Sequence, residues 1–378
     1  MTMDTESRGH AGSKVDLQEE NREPAGPRNL ASLSAYFFQL GAIGFGGPIA
    51  LAARMQRTLV DERKWFSTEE FADGLALSQL SPGPLAAQLA MYLGAVSNGI
   101  VGGSVAGIAF ILPSLLMVWL AAMAYVRFGG LPWIGAAFYG VGAAVIAIIV
   151  RSAWKLARTM LARDPVLWTI AAAMAILTAW TGRELVLVFL AAGLLPLIAK
   201  RVRGILAVPL LEILWFFTKA GAFVFGSGLA IVPFLYGEVV QGHHWLTDRQ
   251  FLDAVAVAMI TPGPVVISVA FIGYLIAREP GMLVAAVGVF MPAWIVVMAT
   301  ASRFHAIARR EGVRDFVRGV TAAATGAMAG AAFILGRRAI IDTPTALIAL
   351  ITFALLTRTK VSELWLIGGA AVVGMVMR

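Results

Sequence analysis

The tetrapeptide Ser81-Pro82-Gly83-Pro84 returns as Thr261-Pro262-Gly263-Pro264, and the residues around it return with it. At a constant spacing of 180, Phe37 pairs with Phe217, Gly41 with Gly221, Phe45 with Phe225, Gly46 with Gly226, Trp65 with Trp245, Phe71 with Phe251 and Asp73 with Asp253. Past the tetrapeptides the spacing is 179, which pairs Pro113 with Pro292, Gly140 with Gly319, Pro165 with Pro344 and Glu184 with Glu363. The chain is one unit of about half its length used twice. A polar tail (1–32) precedes a first repeat (33–204) and a second (205–378).

With 59% hydrophobic and 14% charged residues and a mean hydropathy of +0.80, the chain is too apolar for an ordinary soluble domain and reads as an integral membrane protein. Apolar stretches that approach or cross a hydrocarbon layer of roughly 30 Å lie near 33–53, 100–126, 133–150, 165–181, 184–199, 205–236, 281–301, 319–336, 344–357 and 361–377. Backbone groups in lipid must be satisfied within their own segment, so the expected class is all-α, with about 10–13 membrane segments. The net charge of +8 sits in short loops, without a basic stripe interleaved with aromatics, which points to membrane topology and away from nucleic acid. The absence of cysteine excludes disulfides, thiolate metal sites and cysteine nucleophiles.

Residues 1–29 mix both charge signs with Pro24 and Pro27 and read as a disordered tail, not a signal peptide. The first apolar segment carries Gly41-Ala42-Ile43-Gly44-Phe45-Gly46-Gly47-Pro48, and its twin Gly221 to Gly228 is also glycine-rich. Such clusters produce either a helix break or an unusually close helix contact. Ser67-Thr68-Glu69-Glu70 and Thr247-Asp248-Arg249-Gln250 are capping boxes, so a helix starts at each. Each runs only about 14 residues, or about 21 Å, before its Pro-Gly-Pro, too short to span. A second helix can restart with Ser81 or Thr261 as its cap and Pro82 or Pro262 in its first turn. A re-entrant hairpin and a discontinuous spanning helix both fit.

The loops set the orientation of the repeats. Arg54, Arg57, Arg63 and Lys64 face a twin loop holding only Arg249, while Arg127 alone faces Arg303, Arg309, Arg310, Arg314 and Arg318. Arg151, Lys155, Arg158 and Arg163 face Arg337 and Arg338. Where one repeat is rich in cations its twin is poor, so the repeats are expected to sit in opposite orientations.

Inverted repeats with matched helix breaks place a transported solute near the bilayer midplane. The helix start after each break offers amides and partial positive charge to an anion, and the Ser81 and Thr261 hydroxyls read as two further donors. The favoured solute is a small oxyanion, bound by Ser81, Pro82, Gly83, Pro84, Thr261, Pro262, Gly263 and Pro264; a packing kink is the plainer alternative. Polar groups inside apolar runs join the candidates: the twins Gln39 and Lys219, Gln79 and Gln88 beside the first tetrapeptide, and Asp73 and Asp253 two turns before each break. Lys219 is read as neutralising the anion or pairing with Glu212, and Glu212 and Glu238 as interfacial. The histidines His10, His243, His244 and His305 form no metal-ligand spacing, and no Ser/His/Asp set can be assembled. No cofactor or metal is expected. Trp65, Trp133, Trp154, Trp180, Trp245 and Trp365 lie near segment ends, as in an interfacial belt.

Phe45-Gly46-Gly47-Pro48, Val60-Asp61-Glu62-Arg63-Lys64-Trp65 and Gln79-Leu80-Ser81-Pro82-Gly83-Pro84 with Gln88 resemble the chromate ion transporter family. Phe225-Gly226-Ser227-Gly228, Trp245-Leu246-Thr247 and Thr261-Pro262-Gly263-Pro264 resemble the second domain of its long-chain, two-domain members. The resemblance covers about residues 33–377. It implies a multi-pass inner-membrane exporter that gives chromate resistance, with sulfate as isosteric competitor and antiparallel halves. It carries the site onto Gly46, Gly47, Pro48, Gln79, Pro82, Gly83, Pro84 and Gln88.

A dianion leaving a cell whose interior is about 100 mV negative gains roughly 4.6 kcal/mol from the field, enough for about three orders of magnitude of gradient. No nucleotide-binding G-x-x-x-x-G-K-[ST] is present. Asp73, Asp253 and Glu238 are the candidates for proton coupling. The competing readings are uptake or exchange of sulfate or a related oxyanion, a passive anion channel, and a membrane enzyme acting on a lipid-linked phosphate. A homo-oligomer is left open.

Overall fold

The computed structural model describes residues 29–45, 47–128, 132–161, 164–181, 208–224, 228–301, 311–359 and 361–377. The tail before residue 29, the apolar stretch at 184–199, Gly46, Phe225, Gly226, Ser227 and the loop cations Arg163, Arg303, Arg309 and Arg310 lie outside these. Regular structure among the described residues is helical. The first repeat holds α1 (Leu30–Ile43), α2 (Gly47–Met55) with a π-helical extension Gln56–Glu62, α3 (Thr68–Leu80), α4 (Leu85–Phe128), α5 (Pro132–Met160) and α6 (Pro165–Thr181). The second holds α7 (Val208–Ala222), α8 (Val232–Leu235) with the π-helical Tyr236–Gly242, α9 (Asp248–Ile260), α10 (Ser268–Thr300), α11 (Glu311–Ala339), α12 (Thr343–Arg358) and α13 (Glu363–Met377).

Each repeat opens with a helical hairpin that enters and returns. Tyr36 Oη lies 3.5 Å from the Arg54 carbonyl, and the Arg63 guanidinium sits 5.6 Å over the Tyr36 ring, so α2 runs back along α1. At the twin positions Phe216 stacks on Phe234 at 5.6 Å, and Glu212 meets His243 at 3.4 Å. The described parts of the stretches near 33–53 and 205–236 therefore fold back on themselves and do not cross once. α1 ends at Ile43 and α2 begins at Gly47, which takes a φ of +77°, followed by Pro48, which cannot donate to a preceding turn.

The capping boxes close reciprocally, Ser67 with Glu70 and Thr247 with Gln250, and start α3 and α9 as the sequence predicts. Both helices have 13 residues. After the tetrapeptide the chain turns back: a Cβ on Gly74 of α3 would collide with the Tyr92 ring of α4, which sets the two helices antiparallel. Of the two geometries open to the sequence, the structure adopts the re-entrant hairpin.

α4 then folds at Asn98–Gly99 and α10 at Ala277–Arg278, so each comprises a short arm and a long one. Bare backbones let the arms touch, Gly94 against Gly102 and Gly273 against Gly281. Gly99 turns at φ 62°, ψ −154°, and its twin Arg278 adopts φ 55°, ψ −145°. That region belongs almost solely to glycine and costs other residues about 1–3 kcal/mol. Among the described residues Arg278 has in return only the Tyr274 ring, 5.7 Å beneath its guanidinium. Arg278→Gly is therefore expected to raise stability by about 1 kcal/mol, after loss of that contact and the added freedom of the unfolded chain. The check is thermal unfolding in detergent; an unchanged or lower Tm contradicts the strain.

Leu85–Phe128, Trp133–Thr159 and Val265–Thr300 are long and apolar enough to cross a membrane, and Pro165–Trp180, Thr343–Arg358 and Glu363–Met377 are shorter apolar helices. Ile108, Leu112, Leu116 and Leu120 expose one apolar stripe at a spacing of four, as lipid contact requires. The repeats are inverted. Twin helices α5 and α11 run antiparallel, since Gly142 neighbours Ala339 while Gly336 neighbours Ile146. α12 and α13 pack along α5, and α6 packs along α11, so each repeat clothes the other's central helix. Trp133, Trp154, Trp180 and Trp365 are exposed near helix ends, as a belt requires. Trp65 and Trp245 depart from it: Arg63 covers the first at 4.7 Å and His243 stacks on the second at 4.3 Å.

Candidate functional site at the paired helix breaks

The four hairpin tips interlock between repeats. The Gly83 amide donates to the Val224 carbonyl at 2.6 Å, and the Gly263 amide donates to the Gly44 carbonyl at 2.9 Å. Each Pro-Gly-Pro tip is thus tied to the opening hairpin of the other repeat. Glycine is required twice over at these positions. Gly83 and Gly263 have φ of +136° and +97°. A Cβ on Gly83 would lie 2.5 Å from Ala293 Cβ, and one on Gly263 would collide with Ser114 Oγ. Ser114 and Ala293 each follow the proline inside a long helix, Pro113 or Pro292, so one pattern is built twice across the pseudo-twofold axis.

The hydroxyls do not serve as the sequence predicts. Ser81 Oγ donates back to the Leu77 carbonyl and Thr261 Oγ1 to the Val257 carbonyl, both at 2.7 Å, so their protons are turned away from the tip. Both residues cap the end of the preceding helix and not the start of the next. The reason is local: Pro84 disfavours helical backbone at Gly83, which sits at positive φ, so the helix resumes at Leu85. Its first backbone bond is Gln88 N to the Pro84 carbonyl at 3.0 Å. The amides of Leu85, Ala86 and Ala87 consequently have no carbonyl within their own helix. The glycine amides of the tetrapeptides, by contrast, are already bonded across the repeats.

Gln88, fully buried, braces the first tip: Nε2 donates to Ser81 Oγ at 2.9 Å and to the Pro82 carbonyl at 2.7 Å. The equivalent carbonyl of the second tip, Pro262 O, accepts instead from Ser114 Oγ at 2.7 Å, across the repeats. Ser114 escaped the sequence reading. Its signal was a hydroxyl following a repeated proline whose twin is followed by alanine.

The remaining candidates scatter. Pro48 follows Gly47 in the first turn of α2, at the tip, whereas Gly46 lies outside the described residues. Gln39 and Gln79 are exposed. Lys219 is half-buried 5.9 Å over the Trp215 ring, and Glu212 pairs with His243, so the expected Lys219–Glu212 pair is absent. Glu238 lies 3.9 Å from the other nitrogen of His243. Asp73 is half-buried. Asp253 is buried and accepts from Tyr125 Oη at 2.7 Å, a bond that ties α9 to the far end of α4. Among the described residues no group of three metal-ligating side chains forms.

The family model described as chromate transporter matches residues 31–197 and again 211–375, one match per repeat. A chromate transport protein of Cupriavidus metallidurans is 51% identical, over 92% of this chain and 93% of its own. A probable chromate transport protein of Synechococcus elongatus is 48% identical over 89% and 91%, and a chromate transport protein of Pseudomonas aeruginosa 33% over 79% of each. No solved structure matches the chain. Both repeats, with every residue of the paired breaks, fall inside the matched segments, and the chain belongs to the chromate transporter family.

Proposed function

We propose that this protein exports chromate across the inner membrane, giving chromate resistance, and that the four interlocked tips form the oxyanion site. The observation that carries the reading is the reciprocal bonding of Gly83 to Val224 and Gly263 to Gly44, which brings helix starts from both repeats to one place. The names of the relatives support chromate as the solute. Membership of a transporter family sets aside the reading as a lipid-phosphate enzyme.

Arg54, Arg57, Arg63 and Lys64 lie at the end of the first hairpin away from its tip, and the course of the chain out and back through α3, α4 and α5 brings Arg151, Lys155 and Arg158, near the end of α5, to the same face. By the positive-inside rule this face is cytoplasmic, and Arg249 and Arg338 lie on the outer face. Transport is a rocking of one repeat against the other that opens the tips to each face in turn. The membrane potential drives the dianion outward. Asp73, Asp253 and Glu238 stand as the carboxylates through which protons would couple.

The test is uptake of radiolabelled chromate into inside-out vesicles. Saturable uptake, inhibited by sulfate and increased by an interior-positive potential, is the expected result. Uptake confined to right-side-out vesicles would replace export with sulfate or oxyanion import, and its absence from both would remove chromate.

A further inference from the structure

A cavity of about 390 Å³ opens where α5 of the first repeat meets α9 and the end of α11 of the second, at the face assigned as outer. It has room for a tetrahedral oxyanion with several waters at about 30 Å³ each. Most of its polar groups are already engaged. Asp248 accepts from Arg338 Nη1 and from Tyr236 Oη, both at 2.6 Å. Tyr139 Oη donates to Asp342 at 2.5 Å. Asp253 holds the Tyr125 hydroxyl.

Arg249 differs: its charge acts on Asp253 one turn below, but no hydrogen bond or ion pair joins its guanidinium to a described side chain. Among the described residues no carboxylate lies within ion-pair distance of it, and its guanidinium fills the space over Gly135, where a Cβ would come within 2.6 Å of Nη2. Arg249 and Asp253 stand four residues apart on α9, so they share a face, with the carboxylate one turn deeper. The twin of Arg249 in the first repeat is Glu69, so this cation over a buried acid belongs to the outer face alone.

We infer that this cavity is an outward-facing oxyanion subsite, in which Arg249 holds the departing dianion and the Asp253 carboxylate beneath repels it from the path back. The inference rests on the transport reading, extending it from the tips to the route beyond. α9 links the two, since Thr261 lies about 12 Å along the helix axis from Asp253.

The natural lack of cysteine gives a direct test. Ala339 lines the cavity, and Ala339→Cys in sealed right-side-out vesicles is to be modified by a membrane-impermeant methanethiosulfonate, with sulfate as the probe because chromate oxidises thiols. Sulfate is expected to slow modification saturably. Arg249→Gln should raise the half-protecting concentration at least tenfold, with Arg249→Lys restoring part of it, while Asp253→Asn, which keeps the Tyr125 bond, should lower it by about tenfold. Gly142→Cys is the second reporter, used where the first variant is not produced or not modified. Protection that is absent at both reporters, or indifferent to Arg249→Gln and Asp253→Asn, overturns the subsite. Intact chromate uptake alongside that result would leave the transport reading standing, whereas protection without chromate uptake in either orientation would remove that reading and keep the anion site.

Discussion

Gly263→Ala is expected to abolish chromate transport, and Gly83→Ala to do the same, at expression levels where the wild type is active. Two costs combine. An alanine held at φ near +97° or +136° pays about 1–3 kcal/mol of backbone strain. The new methyl then collides with Ser114 Oγ in one tip and with Ala293 Cβ in the other, and relief of either collision pulls the tip off the opposing carbonyl. Loss of that backbone bond leaves a buried acceptor bare, adding about 1–3 kcal/mol. The total, about 2–6 kcal/mol, is a large share of the stability of a typical fold and falls where the two repeats are tied.

The pair Gly263→Ala with Ser114→Ala separates the costs. Ser114 Cβ stands 3.2 Å from the new methyl, so removal of the hydroxyl relieves the worst overlap while the strain persists. Part of the stability should return, as positive coupling in a double-mutant cycle. No such rescue is available to Gly83→Ala, whose methyl also meets Gln88 Nε2 at 2.7 Å. The measurements are chromate uptake into inside-out vesicles and thermal unfolding of the purified variants. Wild-type uptake by either single variant would show that the tips are packing kinks and move the site elsewhere.

Much of this arrangement was legible in the residues. The fixed spacing revealed the repeats, the two capping boxes located α3 and α9, and the alternation of loop cations gave the inversion that the antiparallel α5 and α11 display. Other features could not be read, for identifiable reasons. Apolar content is the same whether a short helix returns or continues, so residues 33–53 and the tetrapeptide hairpins had two readings until Tyr36 was placed beside Arg54 and Gly74 beside Tyr92. A serine at a break can close one helix or open the next; the backbone that Pro84 imposes decided for closure at Ser81. The bonds from Gly83 and Gly263 join residues about 140 and 220 positions apart, beyond the reach of any local pattern.

Gln88→Glu should eliminate transport, while Gln88→Met should reduce it about tenfold. The Pro82 carbonyl can only accept, which fixes Nε2 of Gln88 against it and leaves Oε1 without a partner. A carboxylate in that position offers no donor to Pro82 O, and Ser81 Oγ has already given its proton to Leu77, so three acceptors would crowd one buried site. A buried charge without a partner costs about 3–5 kcal/mol, whereas methionine, similar in volume, forfeits only the hydrogen bonds, about 1–3 kcal/mol. The second tip supplies the contrast. At the spacing of 179 that holds past the tetrapeptides, the twin of Gln88 is Ile267, whose side chain has no donor, and the Pro262 carbonyl relies on Ser114 of the other repeat. Both glycine amides cross between the repeats, but the first tip's carbonyl is braced within its own repeat, while the second tip's carbonyl is held by the partner repeat and loses that extra bond whenever the repeats move apart. Ser114→Ala, which removes only the brace on the Pro262 carbonyl and does not disturb the first tip, should accordingly cost stability of about 1 kcal/mol yet leave uptake far closer to wild type than either change at Gln88. Equal losses at Ser114 and Gln88 would mean that both tips stay fixed, and the transport step would then lie in other parts of the fold.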